Sequence, residues 1–294
     1  MHHARGQSNH QELLPRPNGI RQVLQAAIVM MAIFTVGLAA AAESDVPRAT
    51  MPLMVKPPKI DGCIDEAEWQ CAVRNVGLVS HETGSVAQRQ GVFWIGADDE
   101  NLYLAQKTEM PPDGRLLTRA VPDTDHDVRA VFYDDSIELV IDPWHCRPEA
   151  KGKFYHIIAN ARGGLFDWTV DSGNRQNPMD LAWRLPKWDM AQQVLDGWWH
   201  VEMALSLASL GATQEDLSSD WGLRVGRNWK RPFEQSQWAS RPGDYDARAT
   251  MPRVAWKADA PVVRVLSLDD GAGKPGVRVA IFNPHEKPLS AAVR

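Results

Sequence analysis

The sequence predicts an all-β protein, an antiparallel two-sheet β-sandwich with a jelly-roll-like arrangement. Short apolar runs recur along the chain with turn residues between them, which is the pattern of stacked antiparallel strands. Helical patterns are weak and are confined to residues 65–72 and 205–210, each long enough for only one or two turns. Hydrophobic residues make up 44% of the 294 residues and charged residues 23%, so a large core can form without metals or several disulfides.

The strands are predicted in chain order from alternation and from their bounding turns. Residues 90–97 and 102–107 flank the acidic turn 98–101 and predict a hairpin. Residues 136–142 alternate strictly, with isoleucine and leucine on one face of the strand. Further strands are predicted at 154–159, 165–170, 198–205, 221–229, 237–239 and 254–256.

The first 42 residues predict a signal peptide. Three arginines precede an apolar stretch at 26–38, and Ala40 and Ala42 fit a signal-peptidase site. This apolar core of about 13 residues is shorter than the ~20 that a membrane span needs. An uncleaved anchor is the alternative, since the following alanines lengthen the segment. The mature protein is therefore expected to be periplasmic or secreted.

The remaining chain divides into a linker at 43–51, a sandwich domain at 52–257 and a C-terminal segment at 258–294. The C-terminal segment carries two strand runs, 262–268 and 277–282, around a Gly-rich turn. Because two strands make a poor domain by themselves, we expect the start of a second sandwich, so that the chain belongs to a longer protein. The alternative is that these strands pack onto the first domain.

Charge and cysteine content narrow the partners. The formal net charge of -5 argues against a nucleic-acid partner, which requires a basic surface. Cys63 and Cys71 close a short loop and could pair as a disulfide in an oxidising compartment, or remain buried thiols. Cys146 is left over.

Several segments, taken in order, resemble the family 9 carbohydrate-binding modules. The opening PKIDGCIDEAEW is followed by an acidic turn, an Asp-Ser-x-Glu strand, a Gly-Trp-Trp-His-Val-Glu run and a late Ser-x-Trp segment. These segments lie at 58–69, 98–105, 134–142, 197–202 and 221–238. The resemblance implies a two-sheet antiparallel sandwich that binds sugar without chemistry of its own. Related domains bind haem, so the fold by itself does not decide function.

The resemblance also implies where a sugar ring would be clamped. Family members place one aromatic residue just before the Asp-Ser-x-Glu strand and another after the Ser-x-Trp segment. Here these places hold Phe132 or Tyr133, and Tyr245. The family has tryptophan at both places, so this chain departs from the pattern, and that departure bears on which sugar is bound.

Polar candidates complete the predicted site. Glu138 matches the motif glutamate and lies on the strand face opposite Ile137 and Leu139, so it need not be buried. We expect it to accept hydrogen bonds from sugar hydroxyls; the alternative is an ordinary outward residue on a half-exposed strand. By the same resemblance, His156 and Asn228 are ligand-facing candidates, each with a surface or loop-capping alternative. Trp238 is expected at the rim of the site or in the core.

The other tryptophans are read from position. Trp69 follows a turn and Trp94 lies in an apolar strand, so both are expected in the core. Trp198 and Trp199 are adjacent, so alternation places one inward and one outward, where it could form a surface platform.

Metal binding is the least specific prediction. Structural calcium is possible because it occurs in the family and because acidic residues cluster at 98–100 and at Asp134 and Asp135, yet turns favour Asp for backbone reasons alone. A zinc site is not expected, since the nine histidines show no paired spacing.

The leading functional prediction is therefore an exported, non-catalytic module that binds an oligo- or polysaccharide in the service of polysaccharide breakdown. A glycosidase needs two carboxylates ~5–9.5 Å apart, whereas Glu138 and Asp142 would lie ~13 Å apart on one strand; hydrolase activity would then reside outside this chain. A haem domain would need axial ligands such as Met110, Met179 or His156. A structural or interaction domain with a decayed sugar site is the remaining alternative.

Overall fold

The structure is a computed structural model that describes most of the chain beyond the predicted signal peptide. The predicted signal peptide, Cys146 and Tyr245 lie outside the described residues. The described ranges are 46–121, 128–145, 153–171, 173–174, 176–239, 248–269 and 276–285.

The described residues are dominated by strands. The strands are β1 Arg48–Met51, β2 Val73–Val76, β3 Val79–Ser80, β4 Gly91–Ala97, β5 Asn101–Glu109, β6 Ser136–Asp142, β7 Lys153–Asn160, β8 Leu165–Asp171, β9 Met179–Asp180, β10 Trp188–Leu195, β11 Trp198–Ser206, β12 Trp221–Lys230, β13 Phe233–Gln237, β14 Arg253–Trp256, β15 Val262–Asp269 and β16 Gly276–Phe282. The helices are α1 Val128–Phe132 and three 3-10 helices, Leu207–Leu210, Gln214–Ser218 and Arg248–Thr250. No helix within these ranges combines the length and apolar composition needed to cross a bilayer.

Two sheets form the sandwich, which confirms the predicted fold class. The first sheet has the order β1-β14-β12-β6-β7-β8-β9, and β13 joins β12 to β3. The second sheet has the order β10-β11-β5-β4-β2-β15-β16. Most neighbours are antiparallel, as predicted, but β1 pairs with β14 and β2 pairs with β15 in parallel. Both sheets are therefore mixed.

The two chain ends of the described region join these sheets. β1 occupies part of the segment predicted as a linker, so the first sheet begins at Arg48 rather than at residue 52. The β15–β16 hairpin extends the second sheet through the pairing of Arg264 with Arg74. The C-terminal strands thus pack onto the first domain, which was the alternative prediction for the segment 258–294.

The main core lies between the sheets and is built by alternation along each strand. In β6, for example, Ile137, Leu139 and Ile141 point into this core, because successive side chains of a strand face opposite sides. Trp199 is also in this core, whereas Trp198 is only half-buried, as the alternation predicted.

A second apolar cluster covers the outer side of the second sheet and explains the opening motif. Trp69 and Trp94 are both buried in it, which confirms that they serve packing. The buried Glu202 carboxylate accepts hydrogen bonds from the Trp69 indole at 3.0 Å and from the backbone N–H groups of Asp61 and Gly62 at 3.1 and 2.8 Å. The Ile-Asp-Gly motif is therefore a structural clamp.

Glycine is required at position 62. Its φ of 82° lies in the left-handed region, and a Cβ there would come within 2.7 Å of the backbone nitrogen of Gln192. The motif thus combines a turn that needs glycine with N–H groups that need the carboxylate of Glu202.

We expect Glu202→Gln to destabilise the fold by about 2 kcal/mol or more. Its side-chain NH₂ must face either the Trp69 indole or the two backbone N–H groups, which leaves buried donors unsatisfied. Chemical denaturation measures the loss in the free energy of unfolding. Glu100→Gln, on the exposed turn, is the matched control and should change that free energy by less than about 0.5 kcal/mol; equal effects of the two substitutions would contradict the clamp.

The structure differs from two smaller predictions, the helix at 65–72 and the disulfide between Cys63 and Cys71. Residues 65–72 form turns, with hydrogen bonds from Glu68 N–H to Asp65 and from Ala72 N–H to Trp69, rather than a helix. The structure contains Cys63 and Cys71 as free thiols, the first exposed and the second half-buried. The tentative disulfide between them is therefore not formed in this structure.

Candidate functional site

The candidate site lies on the outer face of the first sheet, away from the main core. Antiparallel pairing sets Asn228 of β12 beside Ser136 of β6 and beside Gln235 of β13. Glu138, two residues along β6 from Ser136, points to the same outer face. His156 of β7 faces the same way, opposite Val140. These five polar residues (Ser136, Glu138, His156, Asn228 and Gln235) are called the outer-face cluster.

Hydrogen bonds fix the cluster from within. The Asn228 amide donates to Glu138 Oε2 at 3.1 Å and to Ser136 Oγ at 3.3 Å. The Gln235 amide donates to Asn228 Oδ1 at 3.2 Å. His156 Nδ1 lies 3.6 Å from Glu138 Oε1. Asn228 thus connects a buried carboxylate to Gln235, which is only half-buried.

Glu138 is buried, contrary to the expectation of an outward-facing carboxylate that need not be buried. Its exposed fraction is 4%, and every residue of β6 is buried. The prediction assumed that one strand face was open to solvent, but the outer face carries apolar layers of its own. One consists of Val131 with Phe166 and Trp168, and another of Met251 with Val140. Glu138 therefore acts within the structure by orienting Asn228.

An aromatic row leads from the cluster to the surface. The His156 ring stacks on Trp168 with centroids 4.3 Å apart and planes 19° apart. Phe132 packs against Trp168 and Phe166, at centroid distances of 6.0 and 5.6 Å. These protein contacts therefore cover part of the Phe132 side chain, although 45% of it remains exposed.

Tyr133 is the more accessible of the two predicted clamp residues. Its exposed fraction is 60%, and its side chain has no ring or hydrogen-bond partner among the described residues. It precedes β6 by three positions, and β6 begins at Ser136, which pairs with Asn228. The chain therefore carries an exposed aromatic ring just before the strand that supplies Ser136 and Glu138 to the ordered polar cluster.

Sequence reasoning missed two residues on this face. Lys230 and Phe233 form the last pair of the β12–β13 ladder, with the ammonium nitrogen 5.3 Å from the ring centroid. Burial lowers the pKa of Lys230, an effect that the nearby carboxylates of Asp135 and Glu138 oppose. The strand after 221–229 was predicted only at 237–239, so Phe233 fell outside the predicted strands. Its alternation with Gln235 and Gln237 was the available signal.

Asp134 and Asp135 hold the preceding loop rather than standing open. Asp134 accepts hydrogen bonds from the backbone of Arg119 and Ala120, at 2.7 and 2.9 Å, and from the Asn160 amide at 2.7 Å. Among the described residues, no group of three or more acidic, His or Cys side chains is placed to hold a metal. Calcium binding stays a prediction.

Asp135 also anchors a buried cation behind the site. Arg227 is fully buried between the sheets, and its guanidinium lies 4.0 Å from the Trp229 ring centroid and 4.9 Å from that of Trp199. Its Nη1 is 3.5 Å from Asp135 Oδ1. Burial lowers the pKa of Arg227 to about 9, which the Asp135 charge opposes. This pair fixes β12 at the start of β6.

One further predicted site residue, Trp238, does not join the cluster. Trp238 lies in the main core, packed on Phe93 at a centroid distance of 5.4 Å. Alternation explains this placement, because Gln237 faces outward and its neighbour must face inward. The predicted second clamp residue, Tyr245, lies outside the described residues. The site is therefore described on the side of β6, β7, β12 and β13.

Comparison with known proteins finds solved structures that share this fold. No protein-family model matches the chain, and no curated protein does. A family 9 carbohydrate-binding module from Caldicellulosiruptor kristjanssonii, solved in complex with cellotriose, is 14% identical, with a TM-score of 0.50 over 72% of this chain and 95% of its own. A candidate carbohydrate-binding protein from Bacteroides uniformis is 12% identical, with a TM-score of 0.53 over 72% of this chain and all of its own. At these identities the likeness shows a shared fold.

Proposed function

We propose that this protein binds a carbohydrate on the outer face of the first sheet, at the rim formed by Tyr133 and the outer-face cluster. The observation that carries the proposal is the exposed ring of Tyr133, three positions before β6, together with a polar cluster on β6, β12 and β13 whose hydrogen bonds are already made. The likeness to a module solved with cellotriose supports the same function.

The chemistry of the rim suits a sugar. A pyranose ring has an apolar C–H face that an aromatic ring can cover, and hydroxyls that need hydrogen-bond partners once they leave water. The Tyr133 ring can cover the apolar face. The half-buried side chains of Lys230 and Gln235 can supply a hydrogen-bond donor and an amide to the hydroxyls.

Preorganisation is the contribution of the buried part of the cluster. Gln235 is bonded to Asn228, and Asn228 to Glu138, so the amide at the rim keeps its orientation before a ligand arrives. Fixing a polar group in advance lowers the entropy cost of binding. Glu138 and Asn228 are thus positioning residues in this proposal.

The proposal is a binding function without chemistry at this site. Asp142, the other acidic side chain on the outer side of β6, is engaged by the Arg248 guanidinium and by His145. Because the sequence predicts a signal peptide, we also propose that the protein is exported. Its proposed role outside the cytoplasm is to assist polysaccharide breakdown.

Isothermal titration calorimetry of the purified protein tests the function. The panel contains soluble neutral and acidic mono- to tetrasaccharides and includes glucose and cellotriose. Saturable heat with at least one sugar, with a dissociation constant in the micromolar to millimolar range, is the expected result. Absence of heat across the panel would leave a structural or interaction domain as the better description.

We expect Tyr133→Ala to weaken binding of the best sugar about 10-fold. Loss of the ring removes the stacking surface, which is worth about 1–1.5 kcal/mol. Tyr133→Phe keeps the ring and should retain the affinity within about two-fold. Because the side chain is 60% exposed, neither substitution should alter the thermal unfolding midpoint appreciably. Unchanged affinity of Tyr133→Ala would remove Tyr133 from the site.

A further inference from the structure

A cleft of about 530 Å³ adjoins the outer-face cluster at the end of the first sheet where β3 and β13 meet. One wall is the segment 80–88, and the other is formed by residues 232–235. This volume falls within the range of small-molecule sites in proteins. The cleft is distinct from the rim at Tyr133, yet it shares one residue with the cluster, Gln235.

Both walls of the cleft are held by hydrogen bonds. The backbone N–H of His81 donates to the Gln235 carbonyl at 2.8 Å. Arg89, which stacks over Trp229 at 4.3 Å, donates to the carbonyls of Arg231 and Pro232 at 3.1 and 2.6 Å. The β12–β13 turn is thereby tied to the segment that leads into β4, so the cleft is preformed.

Phe233 presents an aromatic surface in this cleft. Its exposed fraction is 65%, the highest of any aromatic side chain among the described residues. Because Phe233 lines the cleft, its exposed ring offers a ligand an apolar surface among polar groups. The ring shares its strand face with Gln235, because the two residues are two positions apart on β13.

The polar lining indicates the charge of the ligand. Two carboxylates, those of Glu82 and Glu234, line the cleft together with the imidazole of His81. Lys230, which contacts Phe233 from the β12 side, is not among the lining residues. Two carboxylates would repel a uronic acid, whereas they can accept hydrogen bonds from hydroxyls. The lining therefore favours a neutral sugar.

We propose that this cleft is a second sugar subsite with Phe233 as its stacking platform, so that the protein binds a neutral oligosaccharide chain across both places rather than a single sugar unit. The inference rests on the proposed function and extends it, since Gln235 connects the cleft to the outer-face cluster. It names the ligand class as a neutral chain of at least two units.

Calorimetry with one neutral sugar as its mono-, di-, tri- and tetrasaccharide tests the subsite. Affinity should rise about 10-fold once the chain reaches the cleft. Phe233→Ala should abolish that rise and leave the monosaccharide affinity within about two-fold, whereas Phe233→Tyr should preserve both. Val277→Ala removes another exposed apolar side chain, 62% exposed on β16, and should change neither. Oligo-uronates of equal length should bind more weakly than the neutral chain.

The outcomes separate this inference from the proposed function. Binding that is lost in Tyr133→Ala but does not depend on chain length or on Phe233 would overturn the second subsite alone. So would tighter binding of the acidic oligosaccharides. Failure of every sugar to bind would overturn both.

Discussion

Replacing Asp135 by Asn is expected to destabilise the protein by about 3–5 kcal/mol, since it leaves the buried Arg227 without its counter-charge. Asp135 is fully buried, and besides Arg227 it accepts hydrogen bonds from the backbone N–H of Leu117 at 2.7 Å and of Lys230 at 3.0 Å. The substitution thus removes a charge from the core and disturbs the loop that flanks the site. Urea denaturation followed by tryptophan fluorescence measures the loss.

The chain offers a matched control for this prediction. Asp113 pairs with Arg231 at 3.4 Å, with about half of each side chain exposed, so Asp113→Asn should cost less than about 1 kcal/mol. The double variant Asp135→Asn with Arg227→Met should be more stable than Asp135→Asn alone, because it also removes the unpaired charge. A double variant no more stable than the single one would show that Arg227 is not the source of the loss.

The second large effect is expected for Asn228→Asp. This change keeps the size of the side chain but sets a carboxylate beside Glu138, where the amide nitrogen now lies 3.1 Å from Oε2. Two like charges in a buried site raise the pKa of at least one of them. At neutral pH we expect a loss of about 3 kcal/mol, equivalent to a displacement of about two pKa units, together with loss of sugar binding.

The pH dependence follows from the sign of that shift. A carboxyl whose pKa is raised by folding destabilises the native state when the pH is above both its unfolded and its folded pKa. The penalty disappears as the pH falls below its unfolded value. The gap in stability between wild type and Asn228→Asp should therefore narrow between pH 7 and pH 4. Asn174→Asp, on an exposed loop, is the control and should have the same stability as the wild type across this pH range. If the stability gap of Asn228→Asp did not change with pH, charge repulsion between the two carboxylates would not be its cause.

Strong local patterns were enough to predict much of the fold. The bounds of β6 were predicted as found, 136–142, because its alternation is strict and acidic residues precede it. The β4–β5 hairpin was predicted from the Asp-rich turn between two apolar runs. β10, with the sequence WDMAQQVL and mostly half-buried or exposed residues, has no clear period, and it was missed.

The site was predicted less completely because its contacts are distant in sequence. The burial of Glu138 depends on covering residues such as Val131 and Met251, and no spacing along β6 reveals them. The pairing of Asp135, just before β6, with Arg227 of β12 likewise joins residues that are distant in sequence. Tyr133 was named with Phe132 as its alternative because the family resemblance implies an aromatic residue just before β6, and its role stays a prediction.

Mapping the sugar onto the structure by NMR is the most direct test of the central claim. Backbone amide shifts of the purified protein would be followed while the sugar that gives the most heat in calorimetry is added. The predicted result is a cluster of shifts at Tyr133 and along 228–235 on the outer face of the first sheet. Shifts centred instead on the second sheet, around Trp198 and Lys107, whose ammonium lies 5.2 Å from that indole, would contradict the assignment of the site.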